Sequence, residues 1–319
     1  MKVTCFGSRG SIPAPSSDGF KFYTNKYGGD TTCYMVEAGP FNIIIDAGSG
    51  ARQLGNYMMA NGKFGHNIML FTHYHWDHIQ GMPFCIPFYI GTNQFHIHGF
   101  TPDNSNDTSY IANVVMDCLS RQQEKPFFPV PHSSMPAKKH YVSHDQMFSE
   151  TFYYSYDEGD KSYNYIPEIV MTDEVYKNEQ ENLLKITTIP LNHPNGALGY
   201  RISYMGKSVG LCWDTESFAY SNANIGKICN GIDLIIMDGQ YTEEQLSGMT
   251  QGFGHGQPEQ CVHEADFANV KRLVITHHDP SHDDNKLEDM ELACKTYASE
   301  GGFSRDSVEF AKQGNTWEV

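Results

Sequence analysis

Residues Asn67–Thr72 read Asn-Ile-Met-Leu-Phe-Thr and lead straight into His73-Tyr74-His75-Trp76-Asp77-His78. A short apolar run without polar alternation predicts a strand buried on both faces. Three imidazoles and a carboxylate crowded at its end are hard to satisfy as core groups. Neutral imidazole suits zinc and other transition metals, and carboxylate suits a harder ligand position. A loop after the strand would let His73 and His75 project together while Asp77 and His78 turn toward a neighbouring position. The alternative is a surface histidine cluster without a metal.

The rest of the chain alternates between strands and helices. Lys2–Phe6, Thr32–Ala38 and Phe41–Asp46 are strand-like, with Gly39-Pro40 as a hairpin corner. A helix is expected near Asp77–Gly91, broken or kinked by Pro83 and Pro87. From about Pro102 to Glu181 the texture changes: Pro126, Pro129, Pro131 and Pro136 lie close together, and tyrosines cluster between Tyr153 and Tyr165. This reads as an elaborated insertion rather than a second domain. Leu184–Ile189, Leu198–Tyr204, Ser208–Trp213, Leu234–Asp238 and Leu273–Thr276 then read as strands. Pro258–Asn269 and Asn285–Ser299 read as helices, the second with Leu287, Met290, Cys294 and Tyr297 on a buried face. Two strand-rich halves, each with helices, predict a layered α/β protein.

Composition narrows the partners. Among 319 residues, 22 Lys and Arg stand against 38 Asp and Glu, a formal charge of −16. That balance argues against sequence-blind binding to a nucleic-acid backbone, which needs cations to displace counterions. It leaves room for a small anionic ligand held by a local metal or arginine. No apolar run approaches the roughly 18–20 residues that span a bilayer, and the opening residues lack the apolar stretch of a signal peptide. The expectation is a soluble cytoplasmic protein with no membrane partner. The eight cysteines are scattered without a Cys-x-x-Cys pair, which predicts small reduced core residues rather than a disulfide scaffold.

His73-x-His75-x-Asp77-His78 resembles the dinuclear signature of the metallo-β-lactamase-fold hydrolases. Gly7-Ser8-Arg9-Gly10-Ser11-Ile12-Pro13, Tyr27-Gly28-Gly29-Asp30-Thr31-Thr32-Cys33 and Asp77-His78-Ile79-Gln80-Gly81-Met82-Pro83-Phe84 are similar to one branch of that superfamily. The branch holds cyclic-nucleotide phosphodiesterase-like proteins, phosphonate-pathway phosphodiesterases and, more distantly, tRNase Z; phage anti-Pycsar phosphodiesterases lie near it. The resemblance implies a four-layer αββα sandwich, an α/β fold in a single domain over residues 1–319 with the insertion at about 102–181. It also implies two divalent metal ions, zinc first, with manganese, iron or cobalt as alternatives. Leu191-Asn192-His193-Pro194 resembles the third-histidine motif, so His193 would join His73 and His75. Gly210-Leu211-Cys212-Trp213-Asp214-Thr215 resembles the bridging-aspartate motif, so Asp214 would touch both ions. Val274-Ile275-Thr276-His277-His278-Asp279-Pro280 resembles the last-histidine motif; His277 would join Asp77, His78 and Asp214, with His278 as the alternative. Asp46 resembles the early aspartate that supports a metal-bound histidine, a turn-capping role being the alternative.

Such a site suits phosphodiester hydrolysis, with hydroxide held between two ions attacking phosphorus in line and a general acid protonating the departing oxygen. Asp77 and His255 are the catalytic candidates. His255 lies in Gly252-Phe253-Gly254-His255-Gly256, which resembles a histidine-containing family segment, although Gly256 replaces its usual serine and Gln257 departs from it. Arg9, in a glycine- and serine-rich turn, is either a cationic contact beside an anion-binding concavity or part of a structural salt bridge. His282 is a further substrate-side candidate. Asp238-Gly239-Gln240-Tyr241 resembles a family segment near the site and is expected to support it. His96 and His98 share one side of a strand in a structural role, and His66, His132, His140, His144 and His263 lack ligand spacing. Phe127, Phe128, Tyr153, Tyr154, Tyr156, Tyr163 and Tyr165 of the insertion could stack a base or simply pack.

The leading expectation is hydrolysis of a small phosphodiester, with a 3′,5′-cyclic nucleotide as the first substrate, by a possible homodimer. The rivals are RNA processing of the tRNase Z type, lactone or thioester hydrolysis, and a non-catalytic metal-bound nucleotide-binding protein.

Overall fold

Ile68 and Leu70 of strand β4 (His66–Leu70) enter one apolar layer, and Met69 and the following Phe71 enter another. The run at the head of the histidine cluster is apolar throughout because both faces of its sheet are covered. The structure, a computed structural model, describes residues 1–101, 114–168, 182–216, 222–248 and 250–319.

Two mixed sheets stack face to face. The first has β1 (Lys2–Gly7), β2 (Cys33–Ala38), β3 (Phe41–Ile45), β4, β5 (Gln94–Phe100), β6 (Lys138–His144) and β15 (Thr316–Glu318), in the order β15-β1-β2-β3-β4-β5-β6. The second has β7 (Thr151–Asp157), β8 (Ser162–Pro167), β9 (Leu183–Leu191), β10 (Ala197–Tyr204), β11 (Lys207–Cys212), β12 (Leu234–Asp238), β13 (Leu273–Thr276) and β14 (Val308–Phe310), in the order β14-β13-β12-β11-β10-β9-β7-β8. Val36, Ile45, Ile68 and Leu70 of the first sheet meet Leu184, Leu198, Leu211, Ile236 and Val274 of the second in a fully buried central layer.

Helices close the outer faces. α1 (Ala51–Ala60) covers the first sheet with Ala51, Leu54 and Met58. Sequence reading missed this helix, although Ala51, Leu54, Gly55 and Met58 are its buried residues at helical spacing. Gly55 dilutes the apolar signal, yet a Cβ there would meet the Ile86 nitrogen at 3.0 Å, so it allows a close approach. α2 is a single turn (Trp76–Ile79), followed by 3-10 turns at Met82–Phe84 and Ile86–Tyr89. Pro83 and Pro87 divide the expected helix in this way. α3 (Val114–Arg121) adds Val115 and Leu119 to the same outer layer. On the other face lie α4 (Ala223–Ile228), α6 (Pro258–Phe267) and α7 (Asp284–Gly301), with the short α5 (Glu243–Ser247) between α4 and α6 in sequence. In α7 the buried side chains are Leu287, Met290, Glu291, Cys294 and Ala298, while Tyr297, expected inside, is 44% exposed. The result is the αββα sandwich that the resemblance implied.

The two ends of the expected insertion, 102–113 and 169–181, lie outside the described residues. Its middle supplies β6 to the first sheet and β7 and β8 to the second. Tyr154 and Tyr163 are buried between the sheets rather than offered to a ligand. His98 of β5 packs against this segment, its Nε2 2.6 Å from the Tyr154 hydroxyl, and His144 of β6 is hydrogen-bonded to Glu150. All eight cysteines are free. Among the described residues no helix is long and apolar enough to cross a membrane.

Candidate metal centre

The functional side chains leave the carboxyl ends of strands, the edge where open α/β sheets place their sites. β3 and β4 run parallel and deliver Asp46 and the histidine cluster. β11, β12 and β13 run parallel in register and deliver Asp214, Asp238 and His277. β9 delivers His193 through a turn into antiparallel β10. Asp46 (φ 58°), Asp214 (φ 55°) and His277 (φ 61°) all adopt the left-handed conformation that non-glycine residues seldom take. Each turns its side chain inward at a strand end. Strain concentrated in this way marks sites that the surrounding structure over-determines.

Two donor sets converge. His73, His75 and His193 form one, and Asp77, His78, Asp214 and His277 form the other, with ligand atoms in each set within 4.8 Å of one another. Asp214 Oδ2 stands 3.3 Å from His78 Nε2, 3.5 Å from His73 Nε2 and 3.9 Å from His193 Nε2, so it faces both sets. Its Oδ1 is 3.2 Å from His277 Nε2, and Asp77 Oδ2 is 3.3 Å from the same nitrogen.

Supporting groups fix which nitrogen of each ring faces inward. His78 donates its Nδ1 proton to Asp46 Oδ2 at 2.8 Å, His193 to the Gly254 carbonyl at 2.9 Å, and His277 to Gln240 Oε1 at 2.8 Å. The Nε2 lone pairs of His78 and His277 then oppose each other at 3.2 Å. Lone pairs at that distance repel unless a cation or proton lies between them. His73 Nε2 and Asp214 Oδ1 are buried without a hydrogen-bond partner among the described residues. Ligands about 2.0–2.1 Å from a tetrahedral ion stand about 3.3–3.4 Å apart, close to the contacts around Asp214. The cluster is suited to divalent metal ions.

Electrostatics agree with that donor set. Burial holds His73 well below the ordinary imidazole value and brings His193 down to about 4, which keeps both neutral, as ligands must be. Burial opposes ionisation of Asp77 and Asp214, but His78 and His277 nearby hold both carboxyl groups well below the usual range. His78 is pulled down by burial yet held well above its ordinary value by Asp214, Asp77 and Asp46. Three carboxylates around one buried imidazole leave the site with negative charge to spare for a cation.

Asp46 organises the outer layer. Its carboxylate accepts hydrogen bonds from the Thr72 amide and hydroxyl, from His78 and from Trp213 Nε1, each at 2.8 Å. Sequence reading left Trp213 without a role; it is fully buried and stacks on Tyr34 at 4.9 Å. Two glycines keep the rings in place, since a Cβ on Gly10 would meet the His277 ring at 2.3 Å and one on Gly254 would meet His193 Nδ1 at 2.1 Å.

His255 faces the same space, grouped with His193 and Asp214. It donates its Nδ1 proton to Asp238 Oδ2 at 2.8 Å, which leaves Nε2 for a substrate. Burial alone would lower its pKa, but Asp238, then Asp214 and Asp77, raise it to about 9. Cations on Asp214 and Asp77 would cancel the last two contributions, leaving Asp238 as the lasting partner. Glu216, also missed in the sequence, accepts hydrogen bonds from the Gly252 and Gly254 amides and so shapes the loop that carries His255.

Two expectations are corrected, and one alternative falls away. Arg9 is fully buried and donates to the carbonyls of Gly28, Asp279 and His282, so it makes no cationic substrate contact. The turn around it is no anion cradle: the amides of Arg9, Gly10 and Ile12 are bonded to carbonyls, and that of Ser11 is bonded to Asp77 Oδ2 at 2.8 Å. His282 is buried, its Nε2 3.1 Å from Gln245 Oε1, and is outside both donor sets. His278, the alternative last ligand, points away: it bonds the Ala311 carbonyl at 2.9 Å and stacks on Phe310. The open cavity over the cluster measures about 430 Å³ and is lined by Ser11, Tyr74, His75, Trp76, Asp77, Asp214 and His255.

Comparison with known proteins agrees with this architecture. A family model described as the β-lactamase superfamily domain matches residues 163–278. A protein named ribonuclease Z from Lachnoclostridium phytofermentans is 23% identical over 288 residues, covering 88% of each chain. The crystal structure of the metallo-β-lactamase fold protein YhfI from Bacillus subtilis superposes with a TM-score of 0.60 at 17% identity, over 100% of this chain and 99% of that one. A diphosphatase from the PhnP family superposes with a TM-score of 0.59 at 15% identity, over 100% of this chain and 97% of that one. The sandwich, the family model matched over residues 163–278 and the converging histidines and aspartates give the chain the metallo-β-lactamase fold and support a metal-dependent hydrolase.

Proposed function

We propose that the chain is a dinuclear metal-dependent phosphodiesterase, with a 3′,5′-cyclic nucleotide as the leading substrate. The observation that carries this reading is Asp214 standing between the two donor sets while His255 faces the same open cavity. His73, His75 and His193 would hold one ion, Asp77, His78 and His277 the other, and Asp214 both. When bound, the ions supply an activated water and neutralise charge on phosphate oxygens; the histidine-rich set favours zinc, and manganese, iron or cobalt suit the same donors.

The protein's own groups do the rest. Asp46 and Gln240 keep the Nε2 atoms of His78 and His277 aimed inward. Asp238 stabilises the imidazolium of His255, which would donate its Nε2 proton to the departing sugar oxygen. Asp77 takes part as a ligand held in place by the Ser11 amide. No serine or cysteine nucleophile is required.

A second reading is RNA cleavage of the tRNase Z type. A relative aligned over 88% of both chains bears the name ribonuclease Z, so the formal charge of −16 does not by itself set RNA aside. The same metals and the same acid would serve. The test is to incubate zinc- or manganese-loaded protein with a panel of 3′,5′-cyclic nucleotides and, in parallel, a tRNA precursor, and to analyse products by chromatography. Metal-dependent formation of linear monophosphates with the RNA intact is the expected result. Cleaved precursor with untouched cyclic nucleotides would replace the first reading with the second.

A further inference from the structure

Trp76 lies between two candidate ligands, yet its side chain is 80% exposed. The other two tryptophans, Trp213 and Trp317, are 0% and 4% exposed. The backbone explains the placement. His75 precedes the single turn of α2 in an extended conformation, with Asp77 and His78 buried in that turn. Successive residues of a helical turn point about 100° apart, so a turn that aims Asp77 and His78 at the cluster sends Trp76 outward along the cavity wall. Among the described residues no aromatic ring or cation packs on its indole. A large apolar ring kept in water beside reactive groups marks a contact surface rather than a core residue.

The cavity divides by chemistry. Asp77, Asp214 and His255 line it beside Trp76, and among the described residues no lysine or arginine does. Ile12, next to the lining Ser11, is 60% exposed, and Phe253, two residues before His255, is 57% exposed. A phosphodiester bound among the metal-ligating groups would meet Trp76, rather than a described basic side chain, with the rest of the molecule. We propose that Trp76 is the stacking platform for an aromatic ring on the substrate, which makes the substrate a phosphodiester bearing a flat heterocycle. This rests on the phosphodiesterase reading. Stacking on an aromatic face tolerates different bases, so Trp76 favours nucleotides over base-free esters without choosing among the bases.

Fluorescence tests this apart from turnover, because Trp76 is the exposed tryptophan of the three. Metal-loaded protein is titrated with adenosine 5′-monophosphate and with ribose 5-phosphate. The nucleotide is expected to quench emission and to protect it from acrylamide. Ribose phosphate should do neither, and Trp76→Phe should lose the acrylamide-accessible signal. In kinetics, Trp76→Ala is expected to raise KM for a 3′,5′-cyclic nucleotide by about ten-fold or more, with no comparable rise for the base-free ribose cyclic phosphate and with partial rescue by Trp76→Phe. Equal quenching by both phosphates, or an unchanged KM in an otherwise active Trp76→Ala protein, would overturn the proposal. So would protection of Trp76 that grows with protein concentration without ligand, which would assign the ring to a protein contact. If the wild type turns over no diester, the phosphodiesterase reading fails, and the titration still decides whether Trp76 binds a base.

Discussion

Asp214→Ala is expected to lose metal and turnover together, with activity falling on the order of 10³-fold or more. The reason is position: Asp214 contacts His73 and His78 through one oxygen and His277 through the other. No other carboxylate among the described residues faces both donor sets in this way. Its removal leaves opposed imidazole lone pairs with less charge to attract a cation. The variant also has a backbone cost. Position 214 has φ 55°, and alanine in the left-handed region costs about 1–2 kcal/mol. Asp214→Asn separates the effects, because asparagine tolerates that conformation but carries no charge. Metal content by elemental analysis and melting temperature are measured on both. Two ions per chain with undiminished turnover in both variants would remove Asp214 from the centre.

His255→Ala is expected to behave differently. His255 is bonded to Asp238 and is not part of either primary donor set, so both ions should remain. A lost general acid costs about 10²–10⁴-fold, but only where the leaving group needs a proton. Turnover of an alkoxide-leaving diester should fall by that amount, while a p-nitrophenyl diester, whose leaving group departs as a stable anion, should be hydrolysed at nearly the wild-type rate. Asp238→Asn should show the same dependence on leaving group with a smaller loss. An equal loss on both substrate types would mean that His255 binds phosphate rather than delivering a proton.

The strands that hold the site were legible because their surroundings leave a direct mark on sequence. β12, Leu234–Asp238, is buried throughout, reads as an apolar run closed by an aspartate, and has the bounds expected. Each candidate ligand stands just past such a strand, so a polar residue at the end of an apolar run was a dependable signal. His277 was separable from His278 only as the first residue off the strand; the left-handed turn that aims it inward has no signature in residue type. Arg9 and His282 misled for a related reason. An arginine in a turn of small residues has the composition of an anion site, and only the fold shows it fully buried with Nε and Nη1 donating to three carbonyls. Glu216 and Trp213 act through contacts far apart in sequence, Trp213 with Asp46 across 167 positions, and no local pattern records such pairs. β7 and β8 were hidden because clustered tyrosines suit stacking and packing alike without an apolar run to mark a strand; Tyr154 and Tyr163 pack in the layer between the sheets.

Anomalous diffraction from crystals grown with zinc, recorded on both sides of the zinc absorption edge, tests the central claim most directly. Two peaks per chain are expected, one among His73, His75 and His193 and one among Asp77, His78 and His277, with Asp214 touching both. A single peak, or peaks away from these side chains in protein that still hydrolyses a phosphodiester, would contradict it.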